Sequence, residues 1–274
     1  EADRELNNAE NTKIYLKKSY DTIAFFSTTH EIIREAIQLN LLERELEKQE
    51  GKKPKQTRLV CEQLQKYFPN LNAAARYYYK KEKYKEAMPY LRTCLDLPHT
   101  ELGQSARLST RGDEQNAIFY LISAFCTKQY GEVTRYDSLA LSPVATRPTI
   151  MKYLSLTAEA ETDTTTYHRQ LCEGWKAYPH DAFFFTRLAD FYNRNKSFNQ
   201  TLLLSAQQLK MDSTYTAAYM AQCVAHYELQ QYDSCIVSAQ HTLACDSTYA
   251  EAHYYIGASY VNKVKLINLP DHIT

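Results

Sequence analysis

Asp212-Ser213-Thr214-Tyr215 and Asp246-Ser247-Thr248-Tyr249 are two copies of one tetrapeptide, 34 residues apart. Each copy precedes a segment rich in alanine and tyrosine whose apolar residues have helical spacing. A fixed period of roughly 20 to 50 residues is typical of repeat architectures. The stretch Ala182 to Lys263 therefore predicts two complete helix–turn–helix units and the first helix of a third.

The residues inside this period resemble the tetratricopeptide repeat (TPR). The repeat is numbered here from Ala182, Thr216 and Ala250. Position 8, where two helices approach closely, holds small residues: Ala189, Cys223 and Gly257. Position 17, which opens the second helix, holds aromatic residues: Phe198 and Tyr232. The resemblance implies an all-α fold, a right-handed α-α superhelix (TPR-like solenoid) of antiparallel helix pairs with roughly 12–13 helices.

Looser copies of the pattern extend the array upstream. We expect an N-terminal helical segment with a degenerate repeat over residues 1–68 and a TPR-like array over 69–274. The expected repeats are 69–98, 114–144, 148–181, 182–215, 216–249 and, incomplete, 250–274. The segment from Pro98 to Asp113 is the least periodic, so we expect a long loop or frayed helix and an internal boundary there.

Helical spacing also predicts individual helices before the clear repeats. They are Asp3–Lys18, Thr22–Gly51 (as one helix or as two), Pro54–Phe68, Leu71–Lys81, Lys85–Leu97, Asn116–Lys128 and Gly131–Leu141. Asp21 is the expected N-cap of the long helix, because an aspartate side chain accepts hydrogen bonds from the first free backbone amides. Gly51 is expected to end that helix.

Composition excludes several functional classes. The formal net charge is +0, so no basic surface for nucleic acid is expected. No apolar window of about 18 residues exists, so we expect no membrane span in this chain. The seven cysteines have irregular spacings, which does not predict a disulfide framework. We take the start at Glu1 to indicate a processed or shortened chain from which any signal peptide has been removed.

Catalytic and metal-binding motifs are absent from the sequence. It has no Gly-x-Ser-x-Gly elbow, no Gly-rich phosphate loop and no His-Glu-x-x-His, so we predict no catalytic residues, no cofactor and no enzyme activity. One group has residue types that zinc prefers: Cys223, His226, Cys235, His241 and Cys245. In the TPR register His241 should point away from Cys223, so we predict no metal site. Positions 8 and 20 meet in that register, which makes Cys223 and Cys235 expected core neighbours, with a disulfide as the alternative in an oxidising compartment.

Aspartate followed by serine or threonine recurs through the chain, for example at Asp163-Thr164 and Asp212-Ser213. This is similar to the motif at which some bacteria O-glycosylate exported proteins. Asp and Ser are also common turn and cap residues, and that simpler interpretation is favoured. Together with Glu1, the motif makes a bacterial protein exported to the periplasm or cell envelope the expected source.

TPR arrays resemble one another in binding ligands on the concave face, at positions 2, 5, 9, 12 and 13 of each first helix. The expected groove residues are Arg76, Tyr79, Lys80, Phe183, Asp190, Asn193, Arg194, Tyr227, Glu228 and Tyr254. The lysine and asparagine residues with which chaperone-binding TPR domains hold a carboxylate are missing. An extended peptide or a partner helix is therefore the expected ligand.

Two functional classes follow. The first is a non-catalytic scaffold or adaptor that binds another protein in the groove. The alternative is a regulatory module, cut from a longer chain, that senses a peptide or small ligand. Because the last repeat lacks its second helix, Ile256 and Tyr260 are expected to form an open apolar end, through which the protein could self-associate.

Overall fold

The computed structural model describes residues 21–51 and 53–266. The expected helix Asp3–Lys18 and the stretch 267–274 lie outside the described residues. Within the described residues the chain forms fourteen α-helices and one 3-10 turn, Leu97–His99, with no β-strand. This confirms the all-α fold class. The helices are α1 (Thr22–Glu50), α2 (Thr57–Lys80), α3 (Tyr84–Asp96), α4 (Glu101–Ser105), α5 (Asp113–Cys126), α6 (Tyr130–Val133), α7 (Asp137–Ala140), α8 (Arg147–Ala160), α9 (Thr164–Ala177), α10 (Ala182–Arg194), α11 (Phe198–Met211), α12 (Thr216–Glu228), α13 (Tyr232–Cys245) and α14 (Ala250–Leu266).

The chain divides into two compact units, Glu1–Glu161 and Thr162–Thr274. The expected boundary between residues 68 and 69 falls inside α2. The expected internal boundary at Pro98–Asp113 also falls inside the first unit. Leu102 and Ala106 of this stretch, and Leu97 just before it, are buried in the core of the first unit. Burial of these apolar side chains holds the segment to its neighbours instead of separating them.

The first unit begins with one long helix. The Asp21 carboxylate accepts hydrogen bonds from the amides of Ile23 and Ala24 at 2.9 and 3.0 Å, which confirms it as the N-cap of α1. Gly51 ends the helix in the left-handed conformation, with φ of 66°. Asn40 is buried and helical, so α1 is one helix and not two.

The predicted helix end at Phe68 is wrong, because α2 continues through Pro69 to Lys80. An internal proline removes one backbone hydrogen bond and crowds the preceding turn, at a cost of about 3 kcal/mol. Buried side chains on both sides of it, Leu64, Tyr67 and Leu71, are fully inaccessible to solvent. Their burial outweighs the local penalty and keeps the helix continuous.

The predicted helix Gly131–Leu141 is also wrong, because the chain forms two four-residue helices, α6 and α7, there. Helices this short are not stable alone, so tertiary contacts hold them. The Tyr136 hydroxyl, between the two helices, donates to the Asp96 carboxylate at 2.6 Å. Its ring meets Tyr120 edge-on, with centroids 4.9 Å apart. These contacts hold the break between α6 and α7 against α3 and α5.

The second unit has strict 34-residue periodicity. First helices begin at Ala182, Thr216 and Ala250, as predicted, and second helices begin at Thr164, Phe198 and Tyr232. Each helix contacts the next along the chain. First helices also contact one another, α10 with α12 and α12 with α14. Side chains of successive first helices therefore form one continuous face.

A left-handed turn joins the two helices of each repeat. Positive φ at a non-glycine residue recurs every 34 residues, always at position 15: Lys128, Thr162, Lys196 and Gln230. After two of them the next amide returns to a carbonyl five residues back, Ser197 to Tyr192 and Gln231 to His226, both at 2.8 Å. This is the Schellman geometry, which satisfies the last carbonyls of the first helix. Glu82 has the same conformation two residues before α3.

Cys223 and Cys235 meet in the core of the second unit, as the repeat register predicts. Their Sγ atoms lie 3.4 Å apart, and both are free thiols with no exposed surface. The Ser259 hydroxyl donates to Cys235 Sγ at 3.2 Å. The shared hydrogen bond with Cys235, together with burial, raises the pKa of the Cys223 thiol.

The last helix, α14, does not turn where the other repeats do. Val264 occupies position 15 yet remains helical, and the helix reaches Leu266. Tyr260, Val261 and Val264 are each more than half exposed, at 53%, 56% and 60%. Ile256, expected at the open end, is instead half-buried against the cluster around Cys223 and Cys235. The exposed apolar surface therefore lies nearer the end of α14 than predicted.

Candidate functional site

Seven of the ten expected groove residues lie on the face formed by α10, α12 and α14. We call this the first-helix face of the second unit. Asp190, Arg194 and Glu228 are exposed, and Tyr254 has 64% of its surface accessible. Phe183, Asn193 and Tyr227 are half-buried. These seven residues belong to three first helices that contact one another in succession, and they include acidic, basic, amide and aromatic side chains.

The other three expected residues, Arg76, Tyr79 and Lys80, lie on α2 in the first unit. Arg76 and Lys80 are exposed there. The Tyr79 ring stacks on Phe119 with centroids 3.9 Å apart, and desolvation raises the pKa of its hydroxyl to about 12. Tyr79 is therefore half-buried and packs against α5 through this ring contact.

A small hollow opens on the first-helix face of the second unit between α10 and α12. Its volume is about 160 Å³. Apolar side chains form most of its wall: Phe185, Ala189, Met220, Ala221, Val224 and Tyr249. Polar groups at its edge are Thr186, Asp190 and Asn193. An apolar recess with a few placed polar groups is the usual form of a ligand site.

Asn193 is held in one orientation by the second helix of its own repeat. Its Oδ1 accepts a hydrogen bond of 2.7 Å from the Thr201 hydroxyl, and Thr201 is fully buried. The Thr201 hydroxyl fixes the position of the amide oxygen, and the Nδ2 group supplies the hydrogen-bond donors of the same amide. Asp190, one helical turn earlier, supplies a carboxylate that can only accept.

Aromatic rings form the other end of the face. Tyr227 meets Tyr255 edge-on at 5.1 Å between centroids, and its hydroxyl accepts a hydrogen bond of 2.9 Å from Asn262 Nδ2. Tyr254 meets Tyr255 at 5.3 Å and remains mostly exposed. Rings fixed in this way lose little side-chain entropy when they contact a partner.

The expected groove residues include Asp190 and Asn193 of the hollow but not Phe185, Ala221 and Tyr249. A signal for Ala221 was present. It occupies position 6, where the repeats beginning near residues 114, 148 and 250 have rings: Phe119, Tyr153 and Tyr255. Comparing repeats at position 6 would have identified two positions without a ring, Arg187 and Ala221, of which Ala221 has the small side chain.

The recurrent Asp-Ser-Thr-Tyr sequence forms a turn before α12 and before α14. Asp212 Oδ1 accepts from the Thr214 amide at 2.9 Å and from its hydroxyl at 2.7 Å, and Asp246 makes the same pair of bonds with Thr248. Hydrogen bonds from the threonine lower the pKa of each aspartate. The motif therefore has a structural role in the turn, which is the favoured interpretation, and O-glycosylation stays an untested alternative.

Two other features bear on function within the described residues. No group of three or more His, Cys, Asp or Glu is placed there to hold a metal ion. In the same part of the chain, no helix combines the length and the apolar character that crossing a bilayer requires.

Similarity to known proteins is found among solved structures. No protein-family model matches the chain, and no curated protein matches its sequence. Among solved structures it is similar to a chain of the APC/C hetero-tetramer Cut9-Hcn1, at 13% identity and a TM-score of 0.39, over 92% of this chain and 51% of that one. The chain thus spans about half the length of that relative.

Two further solved structures are similar. The TPR2AB domain of yeast Sti1, in a complex with pHSP90, has 14% identity and a TM-score of 0.36, over 87% of this chain and 99% of that one. A human IFIT1 dimer with m7Gppp-AAAA has 13% identity and a TM-score of 0.38, over 94% and 68%. The repeat geometry of the chain itself defines it as an all-α, TPR-like protein.

Proposed function

We propose that this protein is a non-catalytic interaction scaffold whose first-helix face in the second unit binds an extended segment or a helix of a protein partner. The observation that carries the proposal is the hollow between α10 and α12, open among expected groove residues. A recess of this kind contributes specificity to peptide recognition by receiving a side chain. The exposed tyrosine at the other end, Tyr254, adds contact area.

A protein partner fits the charge of the face better than a nucleic acid does. Among the groove positions of the second unit, three exposed carboxylates, Asp190, Glu228 and Glu251, outnumber one exposed arginine, Arg194. Carboxylates repel the phosphate backbone, whose attraction to basic groups supplies most non-specific nucleic-acid affinity. A regulatory module that senses a peptide would use the same face, and its distinguishing feature would be a further domain that responds to binding.

Photocrosslinking from single positions tests the proposal. p-Benzoylphenylalanine replaces Tyr254 on the first-helix face, or Gln240 on the exposed side of α13 as the control. Each variant is irradiated in a lysate of cells that produce the protein, and crosslinked bands are counted on a gel. We expect a discrete protein adduct from position 254 that excess unlabelled wild-type protein suppresses.

Equal crosslinking from positions 254 and 240 would show that the first-helix face has no preference for a partner, and would reject the proposal. Treatment of the lysate with nuclease is a second check. Loss of the adduct on nuclease treatment would show that nucleic acid bridges the two proteins, which contradicts direct protein binding.

A further inference from the structure

A pair of aromatic rings fills most junctions between successive first helices. The ring at position 12 of one repeat contacts the ring at position 6 of the next. The pairs are Tyr79–Phe119, Phe125–Tyr153 and Tyr227–Tyr255, with centroids 3.9, 5.1 and 5.1 Å apart. The same two positions are therefore used for packing in both units.

The junction between α10 and α12 lacks this ring pair. Position 12 there is Asn193 and position 6 is Ala221, and both line the hollow. Replacing two rings by an amide and a methyl group removes the side chains that fill the space elsewhere. The remaining volume of about 160 Å³ matches an apolar protein cavity of ~150 Å³ that accommodates benzene. The hollow is thus large enough for one phenyl ring or one branched aliphatic side chain.

The polar groups at the mouth have complementary hydrogen-bonding roles. Asn193 presents Nδ2 as a donor, and the Thr201 hydroxyl fixes the position of its Oδ1. Asp190 presents an exposed carboxylate on the same edge. A backbone carbonyl satisfies the donor, and a cationic group or an N–H satisfies the carboxylate. An extended peptide carries the carbonyl and the N–H at every residue.

We infer that the hollow is the anchor subsite of the first-helix face, an inference that rests on the function proposed above. It receives one large apolar side chain, Leu, Ile, Met or Phe, from an extended peptide. Asn193 Nδ2 donates to a backbone carbonyl of that peptide. Asp190 pairs with a lysine or arginine within two residues of the anchor. The partner side chain thereby takes the place of the missing ring.

The probe for this inference is a phage-displayed library of random 12-residue peptides, selected on the immobilised full chain. We expect the enriched peptides to share a large apolar residue with Lys or Arg within two positions. A representative synthetic peptide is then titrated by fluorescence anisotropy against the wild type and each variant. An Asp190→Asn variant should weaken binding about threefold to fivefold at low salt. The effect should disappear at high salt, because the pair between Asp190 and the basic residue of the peptide is exposed.

The decisive variant is Ala221→Phe, which restores a ring at position 6. We expect it to weaken peptide binding at least about tenfold, since the added ring occupies the anchor position. Gln240→Phe adds the same ring on the exposed side of α13 and should leave binding unchanged. Circular dichroism and the thermal midpoint report whether each variant is folded.

A second readout requires no substitution at the hollow. Met220 lines the hollow, whereas Met88, Met151 and Met211 do not. In wild-type protein with 13C-labelled methionine methyl groups, the peptide should shift the Met220 signal and leave the other three in place. A variant of Met220, such as Met220→Leu, assigns that signal.

The outcomes distinguish failure of the anchor subsite from failure of the proposed scaffold function. Peptide binding that is equally strong in Ala221→Phe and Gln240→Phe, or that leaves the Met220 signal unmoved, overturns the anchor subsite but not the scaffold function. Failure of the library to yield any specific peptide, with a discrete Tyr254 crosslink still present, also overturns only the subsite. Failure of both the library and the crosslink rejects the proposed function as well.

Discussion

Lys196 and Gln230 hold a backbone conformation that L-residues adopt at a cost. Their φ angles are 55° and 60°, at the turn between the two helices of a repeat. The left-handed conformation costs roughly 1–2 kcal/mol for a residue with a Cβ atom. Glycine avoids that penalty but loses more entropy on folding, by about 0.5–1 kcal/mol. The left-handed residue is stable at this place because the turn that it forms satisfies the last backbone carbonyls of the first helix.

Substituting glycine at these turns should therefore stabilise the protein. Lys196→Gly and Gln230→Gly are each expected to raise the free energy of unfolding by about 0.5–1 kcal/mol, measured by urea denaturation. Gln240→Gly, on the exposed side of α13, is the control and should lower it by about 1 kcal/mol. Destabilisation by the turn substitutions would mean that the left-handed conformation is not populated there.

At the scale of elements, Gly174 decides how closely α9 approaches α10. A Cβ atom at this position would overlap the ring of Phe184, which is fully buried. Gly257, on α14, is the control position, because no atom lies within 4 Å of the place that its Cβ would take. The two glycines have the same helical backbone and different surroundings.

Alanine substitution at the two glycines should change the free energy of unfolding in opposite directions. Gly257→Ala is expected to raise the free energy of unfolding by about 1 kcal/mol, because alanine favours the helix. Gly174→Ala is expected to lower it by about 1–2 kcal/mol, because displacement of Phe184 exceeds that gain. Thermal unfolding monitored by circular dichroism measures both. A stabilising Gly174→Ala would contradict the close approach of the two helices.

A polar network joins α3, α5 and α6 in the first unit. Arg92 Nη2 and the Tyr120 hydroxyl each donate to Glu132 Oε2 at 2.7 Å. Hydrogen bonds from Tyr120, and then from Arg92, lower the pKa of Glu132. A carboxyl whose folded-state pKa is below its unfolded-state value stabilises the protein above the unfolded-state pKa. That contribution is lost as the pH falls through the folded-state pKa.

Glu132→Gln should therefore lower stability at neutral pH by about 1 kcal/mol and make the acid side of the stability profile less steep. Urea midpoints measured from pH 7 to pH 3 give the profile. Glu62→Gln is the control, because Glu62 forms an exposed pair with Arg58 at 2.8 Å. It should change stability by at most about 0.5 kcal/mol. Indistinguishable profiles for the two variants would refute the role of the network.

At the scale of the whole molecule, the exposed residues of α14 are a candidate surface for self-association. Tyr260, Val261 and Val264 are each more than half exposed, and Leu266 is 67% exposed. In α10 and α12 the corresponding part of the first helix is followed by a second helix that packs beside it. Apolar clusters that stay exposed are typical of surfaces that bind another protein.

We expect Val261→Glu together with Val264→Glu to shift the protein towards monomer. Sedimentation velocity of wild type at increasing concentration should show a dimer that the double variant does not form. Ile256 is half-buried and is left unchanged. A wild-type protein that is monomeric at every concentration would exclude this mode of association.

Local signals in the sequence determined the class of protein. The 34-residue spacing of Asp-Ser-Thr-Tyr located the first helices at Ala182, Thr216 and Ala250, and Asp21 and Gly51 marked the ends of α1. These signals are readable because capping, turns and helical periodicity depend on residues close together in the chain. The contact of Cys223 with Cys235 followed from the same register.

Tertiary structure decided the features that depend on distant residues. The continuity of α2 through Pro69 and the split between α6 and α7 result from packing that overrides local preference. Tyr79, an expected groove residue, stacks on Phe119, forty residues along the chain. The hollow is lined by Asn193 and Ala221, which come from successive repeats and stand where other repeats have rings. Whether two positions together fill or leave a space depends on both side chains and their separation, which no single repeat specifies.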